Sequence, residues 1–380
     1  MIDFTLTEEQ EAMRALAHEF AEKEIRPVAA ELDEREEFPW DLVRKAGAVG
    51  LTTFAFPEAV GGLGISDELT NCIITEELSW GCAGVATVLG GTHLASIPIL
   101  LAGSEEQKQR LLKPIVERNG LCAMALTEPD AGSDVAAMTT TARRDGDSYI
   151  LNGAKRFITN GGIADLYVVF ATVDRSLGHR GVTAFIVPGD AVGIIGGKKE
   201  KKLGIRCSHT GEVILENVIV PVENRLGEEG SGFKLAMTML DRSRPMVAAI
   251  ALGVARAAYE YARDYAKERV QFGKPIASNQ AIQFMLADMA TKVQAARLMT
   301  WWSAKVTETR RPFLYESSMA KNFASDVAME VTTDAVQIFG GYGYIREYPV
   351  EKLFRDAKIT QIYEGTNQIQ KIVVAQQILK

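Results

Sequence analysis

The stretch RRDGDSYILNGAKRFIT, residues 143–159, breaks the rhythm of this chain. It holds two turn dipeptides, Asp145-Gly146 and Asn152-Gly153, around the β-rich run Tyr149–Leu151. Each dipeptide suits a tight hairpin turn, whose central residues take positive φ. Further β-rich runs follow: LYVVFATV (Leu166–Val173), VTAFIVP (Val182–Pro188) and EVILENVIV (Glu212–Val220). Six or more short strands separated by turns predict a small sandwich or barrel.

On both sides of it the period is helical. Before it, Thr7 and Gln10 make a capping-box pattern ahead of MRALAHEFAEKEI. Pro27 starts or bends the next helix, Ser66 is the expected cap of the helix after GGLGISDEL, and Glu105–Val116 reads as another. After Gly227, four helices are expected at Phe233–Arg269, Asn279–Arg310, Pro312–Phe339 and Thr366–Leu379. The run DRSRP, Asp241–Pro245, interrupts the first, because proline removes a helical hydrogen bond. Three long antiparallel helices and a terminal one make a four-helix bundle. The predicted fold class is therefore α+β and multidomain: an N-terminal α-helical domain (1–120), a middle β-barrel or sandwich domain (121–227) and a C-terminal four-helix bundle (228–380).

Composition narrows the function. A formal net charge of −7 over 380 residues argues against a nucleic-acid partner. No apolar run approaches the ~20 residues of a membrane helix, and MIDFTLTEEQ lacks a secretory pattern, so the expectation is a cytoplasmic protein without membrane insertion. Cys72, Cys82, Cys122 and Cys207 form no CxxC pair, and the four histidines form no HExxH, so no metal is expected.

Several short motifs carry chemistry. None of the glycine clusters follows a strand and opens a helix with dinucleotide-binding spacing. ALTEPDAGSD (125–134) is either an ordinary turn or a loop pointing N–H groups at an anion. FITNGG (157–162) offers an aromatic ring, a hydroxyl and two glycines at a strand end, a set that suits a planar heteroaromatic cofactor. In ERVQFGKPI (268–276), Arg269 either complements a helix C-terminus or, with Phe272, grips a phosphate and a ring. Gly340-Gly341 fits a helix C-cap and also permits close backbone approach. In QIYEGTNQIQ (361–370), Glu364 stands just before a helix capped by Thr366, with no cation beside it in sequence. Its plainer reading is a solvated turn residue or a charge near a helix dipole.

Taken in order, LTEPDAGSD, FITNGG, DRSRP, ERVQFGKP, FMLADM, DAVQIFGGYGY, EYPVEKLFRDAKI and IYEGTNQIQ resemble the acyl-CoA dehydrogenase family over essentially the whole chain, nearest to its short- and medium-chain members. The resemblance implies helical, β and helical domains assembled as a homotetramer. It implies non-covalent FAD, and oxidation of an acyl-CoA to the trans-2-enoyl-CoA in fatty acid β-oxidation. Electrons would leave to electron-transferring flavoprotein. By motif match, Met124, Leu126, Thr127 and Ser133 would lie along FAD, with Ser133 also near CoA. Phe157, Ile158 and Thr159 would flank the ring; the family often has tryptophan at the position of Phe157. Arg269, Phe272, Gln280, Gln337, Gly340 and Gly341 would reach FAD across a subunit interface, and Thr366 and Gln368 would contact it as well. Asp241 and Arg244 would hold the CoA moiety, and Tyr363, Gly365 and Gly90 would face the substrate. Glu364 matches the catalytic base that takes the α-proton. Some relatives carry the base where this chain has Ser243, which cannot replace it. Gly90 and Gly91, in a segment without arginine, imply a neutral short to medium acyl group with room for a branched or cyclic one. The same scaffold also fits an acyl-CoA oxidase or an enoyl-CoA reductase. In another class, it fits a non-catalytic CoA-ester binder or assembly factor.

Overall fold

A computed structural model describes residues 4–308 and 314–380. Its N-terminal part is helical. Helix α1 (Glu8–Phe20) carries the expected capping box: the Thr7 hydroxyl accepts from the Gln10 amide while the Gln10 side chain accepts from the Thr7 amide. A π turn (Ala21–Ile25) and a 3-10 turn containing Pro27 lead into α2 (Ala29–Arg35). Next come α3 (Trp40–Ala48), α4 (Glu68–Gly81) and α5 (Ala83–Ala102). The cap of α4 is Asp67, not Ser66: its carboxylate accepts from the Thr70 amide at 2.9 Å. Both types cap, but the carboxylate also places negative charge at the positive end of the helix. The run expected at Glu105–Val116 is helical, built of α6 (Glu105–Gln107), a π turn (Lys108–Leu112) and α7 (Lys113–Glu117).

The middle of the chain forms one connected sheet. Its strands are β1 (Cys122–Ala125), β2 (Thr141–Asp145), β3 (Ser148–Thr159), β4 (Leu166–Thr172), β5 (Val182–Pro188), β6 (Ile194–Lys199), β7 (Thr210–Pro221) and β8 (Arg225–Leu226). They lie in the order β6-β7-β3-β2-β4-β5-β8, with β1 added parallel to β4. Asp145-Gly146 turns between β2 and β3 as expected, with Gly146 at φ 58°. Asn152-Gly153 does not turn. Strand β3 runs through it for 12 residues, with an irregular register between Leu151 and Gly153. Glycine is needed there for a close approach: a Cβ on Gly153 would stand 2.4 Å from Thr140 Oγ1.

All seven residues of β4 are buried. Tyr167 and Val169 join a core with Tyr149, Phe185 and Val213, whereas Val168 and Phe170 join one with Ile99, Leu112 and Ile115. A strand covered on both faces shows no polar alternation, which is why LYVVFATV reads as a continuous apolar run. Helix α5 corrects another expectation. Its 20 residues are apolar enough, by length and composition, to cross a membrane. Here it packs between α4, β1 and β4 and contributes Val85, Leu89, Ala95 and Ile99 to the cores.

The C-terminal part comprises α8 (Gly232–Glu268), a hairpin of β9 (Val270–Gln271) and β10 (Lys274–Pro275), α9 (Gln280–Thr307), α10 (Leu314–Phe339), α11 (Val350–Thr360) and α12 (Asn367–Ile378). The expected helix ends at Arg310 and Pro312 lie outside the described residues. The DRSRP run does not interrupt α8, which continues for 37 residues with Pro245 inside it. The residues from Ser243 to Ala255 are buried, so packing outweighs one missing backbone bond. Helix α11 is an element the sequence reading lacks. Its N-cap is Pro349, which makes no side-chain cap bond, so the usual start signal is absent.

Candidate active site

The loop between α11 and α12 carries Glu364. Glu364 and Gly365 are both left-handed, at φ 53° and 88°. For glutamate that conformation costs on the order of 1 kcal/mol and persists only where its surroundings fix it. They do so from two sides. The Gln370 amide, fully buried on α12, donates to the carbonyls of Glu364 (3.1 Å) and Gly365 (3.0 Å). Lys321 Nζ, fully buried on α10, donates to the Gly365 carbonyl at 2.8 Å. A Cβ on residue 365 would stand 2.7 Å from Gln370 Nε2, so the position requires glycine on two counts. Thr366 caps α12 as expected, accepting from the Ile369 amide at 3.3 Å.

The Glu364 side chain reaches α8. Ser243 Oγ stands 2.8 Å from its Oε2. The next residue, Arg244, is buried and bonded through Nη1 to Asp241 Oδ1 (2.6 Å) and Ser318 Oγ (3.1 Å). Cations absent beside Glu364 in sequence are thus present in space. Removal from water pushes the Glu364 carboxyl above its ordinary range, against the Ser243 bond and the charges of Arg244 and Lys321. Burial likewise raises Asp241 to about 6 despite Arg244, and lowers Lys321 to about 7. The Tyr363 phenol is pushed up by burial and then by the Glu364 charge.

From Ser243 the site continues along α8 to Met246, then across to α5. A Cβ on Gly90 would lie 3.7 Å from Met246 Cε, and one on Gly91 would lie 3.5 Å from Thr159 Cγ2. Thr159 ends β3, where Phe157 sits at φ 58° with 60% of its surface exposed. The Arg156 amide donates to the Thr127 carbonyl (2.8 Å), and Asn160 Nδ2 donates to the Cys122 carbonyl (3.0 Å). These bonds bring Met124 and Thr127 beside Phe157 and Thr159. Leu126 and Ile158 point into cores on opposite sides of the sheet, so their backbones are what they offer a ligand. Ser133 is exposed on the loop that follows.

Arg269, Phe272, Gln280, Gln337, Gly340 and Gly341 lie elsewhere. Arg269 C-caps α8, about 39 Å of helix rise from Ser243. Its guanidinium is 5.1 Å from the Tyr342 ring, and Phe272 is 99% exposed at the β9–β10 turn. Gly340 is the expected left-handed cap of α10, at φ 61°. One protomer therefore does not bring this group to Glu364. Thr366 and Gln368 lie within or just beyond the Glu364 loop, Gln368 exposed.

Three domain descriptions cover the chain: acyl-CoA dehydrogenase N-terminal domain at residues 7–119, middle domain at 123–218 and C-terminal domain at 230–379. It is 46% identical over 380 residues to the short-chain specific acyl-CoA dehydrogenase of Clostridium acetobutylicum, covering 100% of both chains. The chain belongs to the acyl-CoA dehydrogenase family. Its fold matches butyryl-CoA dehydrogenase from Megasphaera elsdenii at TM-score 0.97, with 48% identity and full coverage of both. It matches equally a chain in the structure of the electron transferring flavoprotein of Acidaminococcus fermentans, solved towards a mechanism of flavin-based electron bifurcation (TM-score 0.97, 49% identity, full coverage of both). The acyl-CoA dehydrogenase fold and a flavin-dependent oxidoreductase acting on CH–CH bonds are thereby established, with FAD as cofactor. The residues present fit that group. The hydroxyls of Thr127 and Thr159 take no partner among the described residues, and the exposed ring of Phe157 stands next to them at a strained backbone position.

Ser243 cannot serve as the base, yet it bonds the base candidate directly. Lys321 and Met246 lie outside every quoted motif, and Asn367 and Gln370 lie within IYEGTNQIQ without a role assigned to them. Ser243 and Glu364 are 121 positions apart, so no local spacing could join them.

Proposed function

We propose that this acyl-CoA dehydrogenase converts a short- to medium-chain acyl-CoA to its trans-2-enoyl-CoA, with Glu364 as the base that takes the α-proton. The observation that carries the reading is the contact of Glu364 with α8: its half-buried carboxylate is held at one oxygen by Ser243, 2.8 Å away, and the loss of water around it raises its proton affinity. An α-proton of a thioester is a weak acid, and a desolvated carboxylate is a stronger base than an exposed one. The left-handed turn at Glu364-Gly365 aims the side chain at α8 and leaves the Glu364 amide as a candidate donor to the thioester oxygen. FAD, when bound, accepts the hydride from the β-carbon. Thr127, Phe157 and Thr159 would hold its ring, with Met124 and the Leu126 and Ile158 backbones beside them; Ser133, Asp241 and Arg244 would meet the CoA ester.

The gap at Gly90 opposite Met246 would receive the acyl tail. Relatives named for short-chain and butyryl-CoA substrates favour the short end of the range. Arg269, Phe272, Gln280, Gln337, Gly340 and Gly341 would complete the cofactor site of another copy, which makes the working unit a homotetramer or a dimer within one. Electron-transferring flavoprotein is the proposed acceptor.

Glu364→Gln tests the base. Glutamine keeps the shape and the backbone amide but accepts no proton near neutral pH. Anaerobic mixing with butyryl-CoA should bleach the wild-type flavin and leave the variant yellow, slowed by ~10⁴-fold or more, the upper end for loss of a general base. A variant that bleaches within threefold of wild type would falsify the assignment. Admitting air to bleached wild type then separates dehydrogenase from oxidase by the speed of reoxidation, and an enzyme that never bleaches with any acyl-CoA is a binder.

A further inference from the structure

We propose that Lys321 is a positioning residue for Glu364: its ammonium fixes the left-handed turn that carries the base and supplies the positive charge that keeps this carboxylate ionised away from water. The inference deepens the reading of Glu364 as the base and rests on it.

The geometry is specific. Lys321 sits in the first third of α10 with no exposed surface. Its Nζ donates to the Gly365 carbonyl at 2.8 Å and to Asn367 Oδ1 at 2.9 Å. Asn367 is in turn fixed by Ser325 Oγ (2.9 Å) and Asp326 Oδ1 (2.8 Å), and Asp326 also accepts from Gln361 Nε2 at 2.6 Å. Both ends of the Glu364 loop are therefore tied to α10 through one network. A buried ammonium that served only as a clamp would be an expensive choice, because a neutral donor could bond the same carbonyl without desolvating a charge. What the charge adds is its field on Glu364. The groups facing this pair are Arg244 with its partner Asp241 on α8, Asp326 on α10, Ser243 on α8 and Tyr363 in the loop. Burial draws Lys321 down to about 7, with the Glu364 charge opposing, so the lysine holds its proton most firmly while Glu364 is ionised.

The sign of the effect follows. A base works only when ionised, so activity falls as pH drops through its raised value. Removing the neighbouring cation raises that value further, and the acid limb moves to higher pH. The test is single-turnover flavin reduction by butyryl-CoA from pH 5.5 to 9 in wild type, Lys321→Gln and Lys321→Arg. The Gln variant keeps a donor but loses the charge; its acid limb should move up by roughly half a unit to one unit. The Arg variant keeps the charge and the wild-type limb. A folded, FAD-loaded Lys321→Gln whose limb overlays wild type overturns the proposal and leaves Lys321 a clamp. Should the Gln variant not fold, Asp326→Asn decides, since it leaves Lys321 in place. Removing that carboxylate would by itself lower the Glu364 limb, but acting through a less firmly protonated Lys321 it raises it. An upward shift supports the proposal, and a downward or absent shift overturns it. Glu364→Gln separates the two readings: if it reduces flavin at the wild-type rate the base assignment fails, whereas an inactive Glu364→Gln with an unmoved Lys321→Gln limb sinks the lysine inference alone.

Discussion

Lys155 and Lys321 are both fully buried, and each secures a loop bordering the site, but they meet their carboxylates differently. Lys155 bonds Glu128 directly at 2.8 Å and also the Leu126 carbonyl at 3.1 Å. Glu128 accepts besides from the Thr139 amide and hydroxyl and from the Thr140 amide. Burial alone would raise that carboxyl; the Lys155 charge and these bonds hold it instead at about 2. It is a closed pair with nothing left to give a substrate. Lys321 grips a carbonyl and a carboxamide, and among the described residues the Glu364 carboxylate bonds a single serine hydroxyl. Around it, Arg244 Nε and Gln370 Oε1 are buried without a partner among the described residues. The same residue type serves as a saturated clamp beneath the loop that begins at Leu126 and as a source of field beside an unsaturated carboxylate. A buried charge becomes reactive when the fold declines to complete its hydrogen bonds.

The saturated pair should be the costlier one to break. Lys155→Met leaves Glu128 buried and unpaired, which typically costs ~3–5 kcal/mol. Urea denaturation of the apoprotein should show that loss, and the FAD-loaded variant should lose its flavin more readily on dilution than wild type, because Lys155 ties the Leu126 carbonyl to β3. A loss below about 1 kcal/mol would mean that the pair is solvated or dispensable, a value usual for exposed pairs.

That contrast also marks where the sequence stops being readable. Strand β5 and the cap at Thr366 were legible because each rests on a local pattern: a short β-rich apolar run closed by Pro188, or a hydroxyl three residues before an amide. Local patterns failed where long-range packing decided the outcome. Gly153 serves a close approach to Thr140 rather than a turn, Pro245 is carried inside a helix whose flank is buried, and α11 begins without a capping side chain. Glu364 stands out in the sequence through its motif, as the candidate base. Its environment was not legible, since Ser243 lies on α8 and Lys321 on α10, and neither is near it in the chain.

The acyl end of the site offers a middle-sized effect. A Cβ on Gly90 would meet, among the described residues, only Met246 Cε within 4 Å, at 3.7 Å, so a large side chain there would project toward α8. Gly90→Phe should therefore shorten the tail pocket between α5 and α8. We expect kcat/KM for octanoyl-CoA to fall by roughly 10–100-fold, with a much smaller change for butyryl-CoA, in line with the worth of a few methylenes in an apolar pocket. Equal losses across the chain-length series would assign Gly90 to helix packing alone.

Ser243→Ala should have the smallest effect and is the most direct probe of the open side of the comparison. The serine hydroxyl has one proton and two acceptors: Glu364 Oε2 at 2.8 Å and the Leu240 carbonyl at 3.1 Å. While Glu364 is ionised, the charge-assisted bond to the carboxylate is the stronger. Once Glu364 has taken a proton it can donate to Oγ, and the serine can turn its own proton to Leu240. The serine thus accommodates both protonation states without moving a heavy atom. Alanine removes the bond that favours the ionised form, so the acid limb of flavin reduction should shift up by about one unit, the size expected for a hydrogen bond to a charged group. On the alkaline plateau the rate should fall only a few-fold, because the base is then ionised in either protein. Stability should change little, since the Leu240 carbonyl remains within helix α8. An unmoved limb with a normal plateau would mean that the serine only fills space beside Glu364. A collapse of the plateau as deep as that of Glu364→Gln would instead place Ser243 in the proton transfer itself, and the two sides of the comparison would have to be redrawn around the serine.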